Sequence, residues 1–140
     1  MDQFKLANFL PYQLSILASR ISKDFSKEYI SRFSLSNAEW RIIAHLSQET
    51  EPISIREIYK KVDLEKSKVS RAVSRLAERN LLSKKINKSD KRLIDLKITR
   101  AGSDIIKEMT DIAIKFEAKF LQQIEAPSNF KAIINTLLKN

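Results

Sequence analysis

One glycine in 140 residues leaves this chain almost no means of turning sharply. Gly102 and the three prolines, Pro11, Pro52 and Pro127, are its only strong punctuation. Glycine reaches the backbone conformations that tight turns require, and proline halts helices. A sequence so poor in both, and rich in Ile, Leu, Lys and Ala, must be built mostly from long helices. A hydrophobic content of 43% supplies a core for one domain, with room for a helical extension. No internal repeat or low-complexity stretch interrupts the pattern.

The spacing of apolar residues predicts a helix from Pro11 to about Ser31, through Leu14, Leu17, Ala18, Ile21, Phe25 and Tyr29. Ahead of it, Phe4, Leu6, Phe9 and Leu10 form an apolar arm with nothing local to pack against. Two further helix starts carry the pattern of a capping box with a hydrophobic staple. The first is Ser36-Asn37-Ala38-Glu39, stapled by Leu35 and Trp40, and predicts a helix over 36–48. The second is Ser54-Ile55-Arg56-Glu57, stapled by Ile53 and Ile58, and predicts one over 54–61. After a break at Val62-Asp63-Leu64, a helix over 65–79 buries Val69, Val73, Leu76 and Ala77. Its opposite side aligns Lys68, Arg71, Arg75 and Arg79 in a single line, beside Ser67, Ser70 and Ser74. Asn80 follows where a helix end needs a residue that tolerates the left-handed conformation.

Alternation then replaces helical spacing. Ile94, Leu96 and Ile98 face one way and Asp95, Lys97 and Thr99 the other, a half-buried strand that Leu82 to Ile86 can pair with. Thr99 is placed to cap a long helix reaching about Ile124, and a last helix follows Pro127. The fold class expected is mainly α with a small β-hairpin wing, a winged helix-turn-helix. Residues 35–100 are expected to form this winged lobe, with 1–34 and 101–140 as a helical dimerisation region. The apolar arm and terminal helices carry more apolar surface than a small domain covers, which points to a second copy.

Charge separates the chain more sharply still. Residues 56–100 hold 15 of the 26 Lys and Arg and 6 of the 17 Asp and Glu, so this third carries the whole net charge of +9. Concentration of positive charge on a helix and an adjoining hairpin marks a surface that meets a polyanion. Other chemistry lacks its residues. There is no cysteine and one histidine, His45, so neither a thiolate metal site nor thiol redox chemistry is open to the chain. Gly-rich phosphate loops and nucleophile turns are missing, so no catalytic residue and no cofactor are expected. No signal peptide and no apolar run of membrane-spanning length stand out, and a cytoplasmic protein without membrane contact is expected.

The sequence resembles the MarR family of bacterial transcriptional regulators along nearly its whole length. The residues that carry the resemblance are Glu65 to Leu76 with Asn80-Leu81-Leu82, the tip Asp90-Lys91-Arg92, and the exit Leu96-Lys97-Ile98-Thr99-Arg100-Ala101-Gly102. The tip matches the family's D-x-R signature, and Asn80 stands where the family usually has glycine. The resemblance implies a homodimer on double-stranded DNA, with Arg92 in the minor groove and Asp90 orienting it or the turn.

A helix of about 15 residues, roughly 22 Å long, fits the major groove. Arginine presents a donor fork that takes guanine O6 and N7 together. Arg71 and Arg75 are therefore the expected base readers, with Ser67, Lys68, Ser70 and Ser74 on phosphates and base edges. On the wing, Lys84, Lys85, Lys88 and Lys91 are expected on phosphates, which add affinity without sequence preference. A two-fold dimer with recognition helices roughly 34–36 Å apart would read a short inverted repeat.

Members of the family typically repress until a small molecule binds, and an aromatic or anionic acid or an acyl thioester is the expected effector class. Tyr12, Arg20, Trp40, Arg41 and His45 are the candidate lining residues, each with an alternative role in packing or in surface pairing. Two other readings stay open: a non-specific architectural DNA-binding protein, and a regulator that activates by displacing another repressor.

Overall fold

The computed structural model describes residues 3–140. Within them are six α-helices and one three-stranded antiparallel sheet. A 3-10 turn at Leu6–Asn8 precedes α1 (Leu10–Phe33), followed by α2 (Asn37–Ser47), β1 (Ile53–Ser54), α3 (Ile55–Lys61) and α4 (Lys66–Glu78). β2 (Leu82–Ile86) and β3 (Ile94–Ile98) make the wing, and α5 (Arg100–Leu121) and α6 (Pro127–Leu138) complete the chain. The backbone packs as two units that divide within α5, one ending at Lys107 and the other running from Glu108 to Asn140. No helix of the described residues is long and apolar enough to cross a membrane.

Helix ends follow the local chemistry closely. Pro11 sits in the first turn of α1, where an amide would have no partner in any case. At α2 both halves of the capping box form: the Ser36 hydroxyl accepts from the Glu39 amide at 3.2 Å, and the Glu39 carboxylate accepts from the Ser36 amide at 3.1 Å. At α3 the Ser54 hydroxyl likewise accepts from the Glu57 amide, at 3.2 Å. The backbone of Ser54, however, also pairs with Asp95, and Ile53 pairs with Leu96. The hairpin of the sequence reading is thus a three-stranded sheet in the order β1-β3-β2. Two residues are too short a strand to leave an alternation in the sequence.

The core of the first unit is made of Leu35, Ile42, Ile43, Leu46, Ile58, Val69, Val73, Leu76 and Leu96, all 2% exposed or less. Ala72 joins the buried side of α4, whereas Ala77 is only partly covered, so the buried stripe is rotated slightly from the expected one. The apolar arm is not wholly without a partner, since Phe4 packs edge-on to Phe9 at 5.4 Å.

Asn80 adopts the left-handed conformation, with φ 59°. The amide of Leu81 reaches back to the Leu76 carbonyl at 2.9 Å and that of Asn80 to Ala77 at 3.0 Å, the double closure of a Schellman motif. This aims the chain directly into β2. Thr99 then ties the far end of the sheet to the same place. Its hydroxyl donates to the Asn80 carbonyl at 2.6 Å and accepts from the Gly102 amide at 3.1 Å, capping α5. The lone glycine is needed for close approach, because a Cβ at 102 would press into the Leu81 carbonyl and lie 2.8 Å from Ile98 Cγ1.

Candidate nucleic-acid interface

The α4 helix turns its buried side, Val69, Ala72, Val73 and Leu76, into the core. Ser67, Lys68, Ser70, Arg71, Ser74 and Arg75 are all exposed on the other side. The six thus form a continuous polar face with two arginine forks available on it. A shallow groove of about 260 Å³ runs alongside, lined by Lys68, Arg71 and Arg75 and by Ser36, Asn37 and Ala38 at the start of α2.

The N-terminal half of this face is braced from α3, a role the sequence reading missed. The Tyr59 hydroxyl and Ser70 Oγ share a hydrogen bond of 2.9 Å, and the Lys66 ammonium lies 5.8 Å from the Tyr59 ring centroid. Nothing in the apolar spacing of so short a helix singles out this tyrosine.

Arg79 behaves differently from its neighbours on the line. Its two terminal nitrogens donate to the carbonyls of Phe33, at 2.7 Å, and Ser34, at 3.1 Å. Helical spacing places it on one line with Lys68, Arg71 and Arg75. In the structure its guanidinium caps the end of α1, whose last carbonyls attract a cation.

On the wing, β2 and β3 pair as expected, from Leu82 with Ile98 outward to Ile86 with Ile94. Burial fades along the ladder: Leu96 is fully covered, while Ile94 and Ile86 at the outer end are exposed. The outer wing therefore projects away from the core. Its tip is organised by Asn87, another residue the sequence reading passed over. The Asn87 side-chain carbonyl accepts from the amides of Ser89 and Asp90 at 2.9 and 2.8 Å, and its amide donates to both Asp95 oxygens at 3.2 and 3.0 Å. An asparagine opening a polar tip is the signal for such a turn.

Asp90 in turn binds the backbone and guanidinium of Arg92. The hydrogen bonds from Arg92 hold the Asp90 carboxyl below its ordinary value, and Asp90 raises that of Arg92. The Arg92 side chain is nevertheless 84% exposed, so it is oriented without being covered. Lys84, Lys85, Lys88 and Lys91 are exposed on the same wing.

The five candidate effector residues lie in different surroundings. Tyr12 and Arg20 are exposed on α1, and Tyr12 stands about 25 Å along the helix axis from Tyr29. Trp40 stacks on Tyr29 at 5.8 Å and meets Phe25 edge-on at 5.5 Å. Arg41 donates to the Val62 carbonyl at 3.1 Å and so caps α3. His45 is partly buried, and burial first, then the charges of Lys61 and Arg41, lower its pKa. Trp40 and Arg41 thus have packing and capping partners on the first unit, and Tyr12 is remote from them within one chain.

The sequence model of the MarR family matches residues 35–94, which run from the start of α2 into the wing. No curated protein matches the chain by sequence. Among solved structures, a MarR/EmrR family transcriptional regulator from Acinetobacter sp. ADP1 is 28% identical, with a TM-score of 0.82 over 98% of this chain and 96% of that one. BpsR of Bordetella bronchiseptica, whose DNA binding is regulated by 6-hydroxynicotinic acid, is 19% identical, with a TM-score of 0.83 over 99% and 96%. MepR of S. aureus in its DNA-binding conformation is 16% identical, with a TM-score of 0.77 over 94% and 97%. The last two likenesses concern the fold alone.

Proposed function

We propose that this chain, a member of the MarR family of transcriptional regulators through residues 35–94, binds an inverted-repeat DNA operator as a homodimer and represses transcription until a small molecule releases it. One observation carries the reading. Arg71 and Arg75 stand exposed on a helix whose other side is locked into the core, and the wing beside it presents Arg92 already oriented. The helix would read base edges in the major groove, and Arg92 would enter a minor groove where narrowing concentrates negative potential. Lys84, Lys85, Lys88 and Lys91 would hold phosphates and set register.

A second copy is supported by apolar surface left uncovered in each unit. Phe4, Leu6, Leu10 and Leu14 are exposed in the first, and Ile133, Leu137 and Leu138 in the second. Apolar clusters of this kind are usual where chains meet. In this reading residues 1–34 and 101–140 serve dimerisation and 35–100 serve DNA.

The effector we propose is an aromatic or anionic acid, or an acyl thioester, bound near Tyr12, Arg20, Trp40, Arg41 and His45 where two copies of the chain meet. Regulation of BpsR by an aromatic acid supports that class. Thermal-shift measurements against 6-hydroxynicotinic acid, phenolic acids and acyl thioesters test it, and no stabilisation by any of them would remove the class. Nuclease footprinting on the promoter of the chain's own gene tests the operator. Protection of one inverted repeat is the expected result; uniform protection would replace it with an architectural DNA-binding role.

A further inference from the structure

The contact between Arg79 and the end of α1 gives that arginine a function unlike that of its neighbours. Arg79 closes the recognition helix, one turn beyond Arg75, and its guanidinium fork spans the carbonyls of Phe33 and Ser34 at 2.7 and 3.1 Å. Ser34 is itself left-handed, with φ 54°, so the end of α1 is a fixed corner and not a frayed terminus. The amides of Ser34 and Leu35 close it by reaching back to Ile30 and Tyr29. Arg75 and Arg79 line the same open groove with Ile30, Ser34, Leu35 and Glu39, so the anchor and the base reader share one wall.

At the other end of the helix, Tyr59 braces Ser70. The recognition helix is therefore held at both ends by polar contacts to different helices, while its middle is held by apolar packing. Apolar packing fixes depth well but resists sliding and rotation less, because it lacks direction. Directional bonds at the ends supply that restraint, and a planar fork on two carbonyls restrains more than a single ammonium can.

We infer that Arg79 is a positioning residue for DNA recognition: it touches no DNA, and sets the axial and rotational position of the base-reading face by clamping the recognition helix to the end of α1. The inference rests on the DNA-binding reading above, and makes the end of α1 the point through which a shift of that helix reaches Arg75.

The test uses the full chain, a duplex carrying the inverted repeat that the wild-type chain selects from random DNA, and a scrambled duplex of equal length. Affinity for each is measured by fluorescence anisotropy across a range of salt, for Arg79→Ala, Arg79→Lys and Arg75→Ala. Arg79→Ala is expected to lose about tenfold on the operator, the scale of one lost base contact. Its salt slope should match wild type, and its affinity for scrambled DNA should be unchanged. Arg79→Lys, which keeps the charge and loses the fork, should show the same loss. It also serves if the alanine variant unfolds, since circular dichroism then identifies which protein to measure.

A phosphate contact would instead lower the salt slope by about one and weaken both duplexes alike. That outcome overturns the inference, as does wild-type behaviour of Arg79→Lys or an unchanged operator affinity in Arg79→Ala. A merely stabilising role would move the melting temperature and leave the ratio of operator to scrambled affinity intact, which also overturns it. Failure of the wild-type chain to prefer any duplex would be a different result, one that removes the operator reading itself and leaves only non-specific DNA binding.

Discussion

Asp90 and Arg92 are joined three times within one turn of the wing. One Asp90 oxygen accepts both the amide and Nε of Arg92 at 3.0 Å, and the other accepts Nη2, also at 3.0 Å. An acid two residues from an arginine thus fixes the backbone and the side chain together. The guanidinium keeps its outer edge free, and part of the entropy of ordering a long side chain is lost before any ligand arrives.

Arg92→Ala should weaken operator binding at least about tenfold, a loss on the scale of one specific contact, with the melting temperature unchanged. Unchanged affinity in a gel-shift titration would show that the tip stays outside the groove. The sign of the pH effect follows from the direction of the Asp90 shift. Its carboxyl is depressed by Arg92, so the charged pair is complete above the ordinary carboxylate range and is lost only as pH falls through the lower folded value. Between about pH 8 and about pH 5, where Asp90 stays ionised, titration of this pair should leave DNA affinity flat.

His45 is the one histidine, so a transition in stability near its ordinary value of 6.5 can be assigned to it. Burial comes first among the causes of its lowered pKa, followed by Lys61 and Arg41, with Glu49 opposing them. The unfolded chain therefore takes up a proton at higher pH than the folded one. Stability should be intact above 6.5 and should fall as pH drops from there toward the folded value, then level off. Urea midpoints against pH check this, and His45→Gln should flatten the curve. Parallel curves for the two proteins would assign the loss to other groups.

Alanine replaces glycine inside a helix with a gain of about 1 kcal/mol on propensity alone. At Gly102 the sign should reverse, because the added methyl meets the Leu81 carbonyl and the Ile98 side chain. The backbone at Leu81, just before β2, and the start of α5 must separate to admit it, and overpacking of this kind costs about 1–3 kcal/mol. Chemical denaturation of Gly102→Ala reads the net change directly. A stabilised variant would mean that the junction between sheet and helix has slack.

Much of this architecture was legible because its signals are local. The Ser36 capping box, Asn80 at the end of α4, Thr99 before α5 and the alternation about Leu96 each act over a few residues. Such signals survive in sequence, since propensity, capping and periodicity involve only neighbours along the chain. β1 was not legible, because its two residues become a strand only where β3 offers an edge. Asn87 could have been found from its place at the start of a polar tip, whereas Tyr59 could not, since its partner Ser70 sits on another helix.

The sequence by itself determined that the net positive charge lies on one helix and one hairpin, and that the helix has a buried and an open side. Tertiary structure decided what each charge does. Lys68, Arg71, Arg75 and Arg79 lie on one line of one helix, yet Arg79 alone reaches the end of α1, 45 residues away in sequence. A guanidinium goes to whichever carbonyls or anions its surroundings present, and helical periodicity records only the face from which it starts. The distinction between an arginine left open to a ligand and one that is bound to another helix end therefore arises from packing between distant segments.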